Sequence, residues 1–155
     1  MMKQIILLVF LTFSLHSAED IMLLGQWNSV TYGVNKGTKI TEKEYLKFNA
    51  DYTFGIVFLV TVKKGNAYVK DLRIEGSGIW KRRENILVVV VQNVEVPVAG
   101  EVYGISQASL KSISETFHDK FQNDPIRILS IKEISQHKLV TENKNKQSIV
   151  YQRQR

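Results

Sequence analysis

The sequence contains no cysteine among its 155 residues and only two prolines. Without cysteine the chain can form no disulfide, thiolate nucleophile, zinc-thiolate site or iron-sulfur cluster, and no lipid can be attached through an N-terminal cysteine. Beyond the N-terminus, no stretch approaches the ~20 apolar residues that a membrane-spanning helix needs. Hydrophobic residues make up 44% of the chain, which is an ordinary balance for a globular protein. The sequence therefore predicts one domain whose stability rests on core packing.

The N-terminus has the layout of a secretory signal peptide. A short positive start that ends at Lys3 precedes an apolar stretch over 4–15, and the small residue Ala18 stands directly before an acidic pair. This apolar stretch is too short to cross a bilayer as an anchor. We expect residues 1–18 to be removed, and residues 19–155 to form the mature domain in the periplasm or outside the cell.

The remainder of the sequence alternates between short runs of strand-forming residues and polar turns. Such a series, mostly joined by hairpins, closes most economically as an antiparallel up-and-down β-barrel, because closure removes exposed edges. We predict a barrel of eight to ten strands. The strand-like runs occupy 24–32, 45–48, 53–62, 67–75, 79–82, 86–96, 126–134, 138–142 and 147–153.

One amphipathic helix is predicted over 106–121. Leu110, Ile113, Phe117 and Phe121 recur there at helical spacing, with polar residues between them. The run 86–91 is apolar on both faces of its strand, so one face must be covered, and we expect the helix to pack on the outside of the barrel or at one end.

Several motifs resemble those of one family. A G-x-W motif ends at Trp27 on the first strand, and a second one occupies 78–80 before a charged turn and an apolar strand. The hairpin 48–54 is similar to F-x-x-D-G-T-F, and 151–153 reads Tyr-Gln-Arg in the last strand. In order and spacing these segments resemble bacterial members of the lipocalin and calycin group, over most of the mature chain.

The resemblance implies roles for three residues at one end of the barrel. In that family an arginine of the last strand packs across the tryptophan of the first strand and closes the barrel. Here the corresponding residues are Arg153 and Trp27, with Gly25 beginning the motif, and Arg155 is an alternative to Arg153.

Lipocalins carry small apolar molecules, so the resemblance implies a ligand inside the barrel. A small-molecule site needs an apolar and aromatic lining with a few polar groups. The same side chains could also fill a solid core, and the sequence leaves both possibilities open. The candidate lining residues are Phe54, Ile56, Phe58, Leu72 and Ile74, with Tyr68 or Tyr103 offering a hydroxyl.

Catalytic and metal-binding patterns are missing from the sequence. The mature chain has only two histidines, His118 and His137, and it lacks H-E-x-x-H, G-x-S-x-G and a glycine-rich phosphate loop. Glu42 and Glu44 are interpreted as part of a polar loop that leads into a strand. We expect no catalytic residue, no metal, no cofactor and no enzymatic activity.

The formal net charge is +6, and much of the positive charge falls into three groups. The groups lie at 63–64, at 81–83 and at 144–155. If they meet at one rim of the barrel, they would attract anionic ligands or, weakly, an anionic membrane surface. If they are dispersed, they serve solubility. Nucleic acid is not an expected partner, because an exported protein would not meet it.

Two hypotheses follow from these observations. The first is an exported lipocalin-like protein that binds or transports a small hydrophobic or amphipathic molecule, such as a fatty acid or another lipid-like compound. The alternative is a filled barrel whose loops, above all the connection 94–105, bind or inhibit another exported protein.

Overall fold

The computed structural model describes residues 18–95 and 97–155. Residues 1–17, which include nearly all of the predicted signal peptide, lie outside the described residues. The helices are α1 (Ala18–Ile21) and α2 (Gln107–Gln122). The strands are β1 (Gly25–Asn35), β2 (Thr38–Phe48), β3 (Thr53–Lys64), β4 (Ala67–Arg83), β5 (Ile86–Val94), β6 (Glu101–Tyr103), β7 (Ile126–Ile134), β8 (Lys138–Glu142) and β9 (Ser148–Arg153).

The strands form an antiparallel sheet in the order β3-β2-β1-β9-β8-β7-β5-β4, and β3 also pairs with β4. This last pairing closes the described sheet into a barrel of eight strands, and β6 adds to the edge of β4 as a ninth. The predicted lipocalin-like barrel with one amphipathic helix is therefore confirmed.

The two ends of the barrel differ. We call the end with α1 and the β2–β3, β4–β5 and β7–β8 turns the lower end. The upper end carries α2 and the β1–β2, β3–β4 and β8–β9 turns. Large side chains fill the lower half, and each contributes roughly 1.5–3 kcal/mol through its burial. They include Trp27, Phe48, Phe54, Trp80, Leu87 and Leu139.

The lower end is closed by Arg153 and Trp27. The guanidinium carbon of Arg153 lies 4.1 Å from the centroid of the Trp27 ring. The same guanidinium donates hydrogen bonds to the carbonyls of Leu24, Met22 and Gln136, which join the N-terminal segment to the β7–β8 turn. Gly25 has a φ of +108°, and a Cβ there would lie 2.9 Å from Arg153 Nη1. Glycine is therefore needed for both the backbone conformation and the approach of the arginine.

Helix α2 closes part of the upper end. Its N-cap residue Ser106 accepts a hydrogen bond from the Ser109 amide through its hydroxyl. At the other end of the helix, the buried ring of Phe121 lies 4.9 Å from that of Phe58 inside the barrel. Three further apolar side chains of the helix pack against the core: Leu110, Ile113 and Phe117.

Of the two predicted positions for this helix, the one at an end of the barrel is confirmed, and the helix does not cover the outer face of β5. Val88 and Val90 point outward there and pair with Ile128 and Ile126 of β7. Both isoleucines remain exposed, at 59% and 54%. The helix instead buries its apolar side in the upper end of the barrel, so these outward side chains stay half-buried or exposed.

Several strands extend beyond their predicted bounds. Strand β2 begins at Thr38 rather than in the middle of a polar loop, and β4 runs without a break past the glycines at 76 and 78. A Cβ at Gly78 would lie 1.9 Å from the carbonyl oxygen of Val90, so this glycine permits close pairing with β5. Strand β6 was not predicted, because its three residues lie within a long connection.

A β-bulge reverses the predicted orientation of Tyr68. Val60 pairs with Leu72 while Val62 pairs with Val69, and Asp71, in the irregular stretch, has a φ of +50°. The extra residue shifts the alternation, so Val69 rather than Tyr68 points inward.

Candidate functional site

A cavity of about 980 Å³, partly open to solvent, lies at the upper end of the barrel, and its lining extends outward to the exposed side chains of Ile126 and Ile128. The cavity lies where β1 and β9 separate. These two strands pair only through Trp27–Arg153 and Asn28–Gln152, near the lower end, and we call the gap above these pairs the seam. Above these pairs, Thr31 of β1 and Ile149 of β9 line the cavity from opposite sides of the seam. The side chains that form its inner wall come from five strands and include Ser29, Glu44, Phe58, Arg127, Leu129 and Tyr151.

The predicted lining residues divide into three groups. Phe58 lines the cavity. Four others are buried in the core and do not line it, namely Phe54, Ile56, Leu72 and Ile74. Tyr68 and Tyr103 lie on the outside of the barrel, where their rings stack with centroids 5.8 Å apart and the Tyr68 hydroxyl donates to Glu101. The interior is therefore packed on the side of β3 and β4, where Leu72 and Ile74 are buried, and the cavity occupies the part of the upper end beside β1, β2, β7 and β9.

Glu44 is the most unusual side chain in the cavity. It points inward from β2 and is only 5% exposed. Its Oε1 lies 3.5 Å from Arg127 Nη1 but has no hydrogen-bond partner among the described residues. Burial raises the pKa of the Glu44 carboxyl, and the positive charge of Arg127 acts in the opposite direction. The cavity thus contains a carboxyl oxygen that is removed from bulk water and free to accept a hydrogen bond.

Two further polar side chains extend this centre. The Thr141 hydroxyl is fully buried next to the Tyr151 phenol, which interacts with both Thr141 and Glu44. Tyr151 is buried beside it, and burial together with the charge of Glu44 raises the pKa of its phenol well above the ordinary range. The phenol therefore stays protonated, so these hydroxyls provide both donors and acceptors.

Arg127 links the polar centre to the aromatic wall. Its guanidinium carbon lies 4.7 Å from the ring centroid of Phe121 and 5.6 Å from that of Phe58. Stacking of this kind orients the planar cation while leaving its edge free for polar partners. The site therefore combines an aromatic surface with a polar centre, which suits an amphipathic molecule.

Charges at the opening of the cavity are largely paired with one another. Lys144 lies 3.8 Å from Asp124, and Lys146 and Lys132 lie 3.6 and 3.1 Å from Glu142. The Lys132 ammonium lowers the pKa of Glu142, which keeps that carboxylate ionised. The opening consequently shows no strong excess of either charge.

The three basic groups predicted from the sequence do not meet at one rim. Lys63 and Lys64 are the last two residues of β3 and lie at the upper end. Lys144 and Lys146, in the β8–β9 turn, lie at the same end. The group at 81–83 and the C-terminal arginines lie at the lower end. The prediction that all three groups form one positively charged opening is therefore wrong.

Sequence reasoning missed Glu44, Arg127 and Tyr151 as site residues. Glu44 was placed in a polar loop, although it alternates with Leu46 and Phe48 on one face of the same strand. That alternation was a usable signal. Arg127 and Tyr151 lay within predicted strands, but no local pattern indicated that they would meet Glu44.

The described residues contain no cluster of three or more potential metal-ligating His, Asp or Glu side chains. His118 Nδ1 lies 3.7 Å from Asp119, beyond hydrogen-bonding distance. None of the described helices has the length and apolar character needed to span a membrane.

Comparison of the chain with protein-family models and with curated proteins gives no match.

Proposed function

We propose that this chain is an exported lipocalin-like protein that binds one small amphipathic molecule in the upper half of its barrel. The observation that carries the proposal is Glu44, whose buried carboxyl oxygen faces a cavity of about 980 Å³ without a hydrogen-bond partner in the described residues. This oxygen lies 3.5 Å from Arg127 Nη1 without making a hydrogen bond to it, and a ligand that supplies a donor can complete its hydrogen bonding.

The lining defines the chemistry of the ligand. Phe58, Leu129 and Ile149 offer an apolar surface to a hydrocarbon or ring. Glu44 accepts a hydrogen bond, and Arg127 can donate one from its exposed edge. The expected ligand therefore has an apolar body and a polar head that bears a donor, such as a hydroxyl, an amine or a protonated acid.

Export is part of the proposal because of the signal-peptide pattern in residues 1–18. In that location the protein would carry or sequester its ligand outside the cytoplasm. The direct test is native mass spectrometry of protein purified from the producing cells, followed by organic extraction of anything that is bound. A reproducible extra mass that extracts as a small amphipathic compound supports the proposal.

A binding series tests the site itself. Dodecanol, dodecylamine and the methyl ester of dodecanoic acid share a chain length, but the ester has no donor. We expect the first two to bind more tightly by calorimetry, and Glu44→Met, which removes the acceptor, to weaken them ~10-fold or more. Glu75→Met, on the outer face of β4, is the matched control and should leave binding unchanged. Equal affinities for all three compounds, or equal effects of the two variants, would contradict the proposal.

A second candidate is a protein-interaction module. It is favoured by the free side of β1, because residues 29–35 pair with β2 but not with β9. An unpaired strand edge can accept an extended peptide from another protein. This candidate requires an empty cavity in native mass spectrometry and a partner whose binding is lost in Thr31→Pro, which disrupts that edge.

A further inference from the structure

A row of side chains crosses five strands on the outer face of the upper end. Cross-strand pairing joins Val34 to Lys39, Lys39 to Lys63, Lys63 to Tyr68, and Tyr68 to Tyr103. Residues that pair in this way lie side by side on one face of a sheet. We call these five residues the rim row.

The centre of the rim row is electrostatically unfavourable in isolation. Lys39 and Lys63 are direct cross-strand neighbours, and like charges in that position destabilise a sheet. Neither lysine forms an ion pair within the described residues. Lys36 and Lys64 stand at the adjacent hairpin turns, and the segments 33–41 and 61–70 contain no acidic residue. The lysines therefore form a local positive surface in which Lys39 and Lys63 have no ion-pair partner among the described residues.

Exposed apolar and aromatic side chains flank this positive surface. Tyr32, Val34 and Tyr103 are 78%, 73% and 61% exposed. Tyr32 belongs to the same outer face of β1 as Val34, two residues away. Glu101 is the one carboxylate of β6, and it accepts the hydrogen bond from the Tyr68 hydroxyl. The surface thus combines unpaired lysines with tyrosines and valine that are exposed to water.

We propose that the rim row and Tyr32 dock the upper end of the barrel onto an anionic phospholipid bilayer. Lysine ammonium groups are attracted to the phosphates of an anionic leaflet, and tyrosine side chains favour the interface between headgroups and hydrocarbon. The positive charge of the rim row complements the phosphates of an anionic bilayer. It disfavours a second copy of the chain, because the lysines of that copy would face the lysines of this one. Docking here places the cavity end of the barrel at the membrane. The inference does not rest on the proposed ligand.

The basic residues of the lower end provide a contrast. Arg82 donates hydrogen bonds to the carbonyls of Glu19 and Glu84, and Arg153 is held by three carbonyls and the Trp27 ring. These arginines are engaged within their own chain. The rim lysines have no such partners in the described part of the molecule.

Vesicle co-sedimentation tests the inference. Protein expressed from the full-length sequence, with its mature N-terminus identified by intact mass, is mixed with vesicles of phosphatidylcholine alone or with phosphatidylglycerol added. We expect binding only to the anionic vesicles, and we expect 1 M salt to weaken it, because the screening length falls to about 3 Å. Wild type and variants share the same N-terminus, so its contribution cancels.

Two double variants identify the surface. The variant that combines Lys39→Gln and Lys63→Gln should lower the partition coefficient for anionic vesicles about thirtyfold, which is equivalent to about 1 kcal/mol for each lysine. Lys81→Gln with Arg83→Gln removes the same charge from exposed positions at the lower end and should change binding less than about threefold. Thermal unfolding confirms that both variants are folded.

The apolar contribution has its own test. Val34→Ser should reduce the binding that persists in high salt, because that part comes from apolar insertion. Equal binding to neutral vesicles, no binding, or equal losses in the two charge variants would overturn the inference. A dimer in vesicle-free sedimentation that dissociates in the rim variant would instead assign the surface to a second copy of the chain.

Discussion

Replacement of Arg127 by methionine should reveal how the protein tolerates a carboxyl group inside its barrel. Arg127 Nη1 lies 3.5 Å from Glu44 Oε1. At an effective dielectric constant of 20, charges at that separation attract by about 5 kcal/mol before desolvation is subtracted. The Arg127 side chain is 26% exposed, so water relieves part of its loss. Stacking on Phe121 and Phe58 adds ~0.5–1 kcal/mol for each ring.

Together these effects predict that Arg127→Met lowers the free energy of unfolding by about 2–4 kcal/mol, out of a total of roughly 5–15. The assay is urea unfolding at pH 7 followed by tryptophan fluorescence. Glu44→Gln in the same background should recover at least half of the loss, because it removes the uncompensated charge. Arg127→Lys should have an intermediate effect, since lysine keeps the charge but loses the stacked plane.

A loss of less than about 1 kcal/mol in Arg127→Met, or no recovery by Glu44→Gln in the double variant, would show that Arg127 does not compensate the buried carboxyl group. In either case the burial of Glu44 would be tolerated for another reason. The carboxyl group would then not depend on its arginine neighbour.

Three further predictions concern stability. Arg153→Ala should lower the free energy of unfolding by about 2–4 kcal/mol through lost stacking and hydrogen bonds, whereas Arg155→Ala should change it by less than about 0.5 in urea titrations. Because burial raises the pKa of Glu44 above 4.5, the folded state binds this proton more tightly than the unfolded state. The free energy of unfolding should therefore fall as the pH rises from 4.5 through the folded-state pKa of Glu44. Glu44→Gln should abolish this fall, and parallel pH profiles of unfolding free energy for the two proteins would contradict the prediction. Gly78→Ala should cost more than about 3 kcal/mol by thermal or urea unfolding, because its Cβ would lie 1.9 Å from a carbonyl oxygen of β5. Gly55→Ala meets nothing within 4 Å and should cost less than about 1 kcal/mol.

Much of the fold was predictable because its signals are local. The helical spacing of apolar residues identified α2 to within one residue at each end. The hairpin turn at 49–52 was also recognisable, and Tyr52 there has a φ of +63°. The strands β7 and β8 matched their predicted bounds, since short polar turns separate them. Alternation and turn residues act within a few positions of the chain, so they are visible without the tertiary structure.

The candidate site was far less predictable. Phe58 was found because it belongs to a clear apolar alternation along β3. Tyr68 was assigned to the wrong face, because a bulge near Asp71 changes the parity of the strand and no local residue pattern announces it. Glu44 looked like part of a solvated loop, since its neighbours Lys43 and Lys47 are charged.

Local signals in the sequence were enough to predict the class of fold, the positions of most strands and the helix, and the aromatic and aliphatic content of the core. They could not predict which part of the interior is packed and which part is open beside β1 and β9. They also could not predict that Glu44 meets Arg127, which comes from a distant strand. These features depend on strand register, on bulges and on the partial pairing of β1 with β9, and all three are set by contacts across the whole barrel.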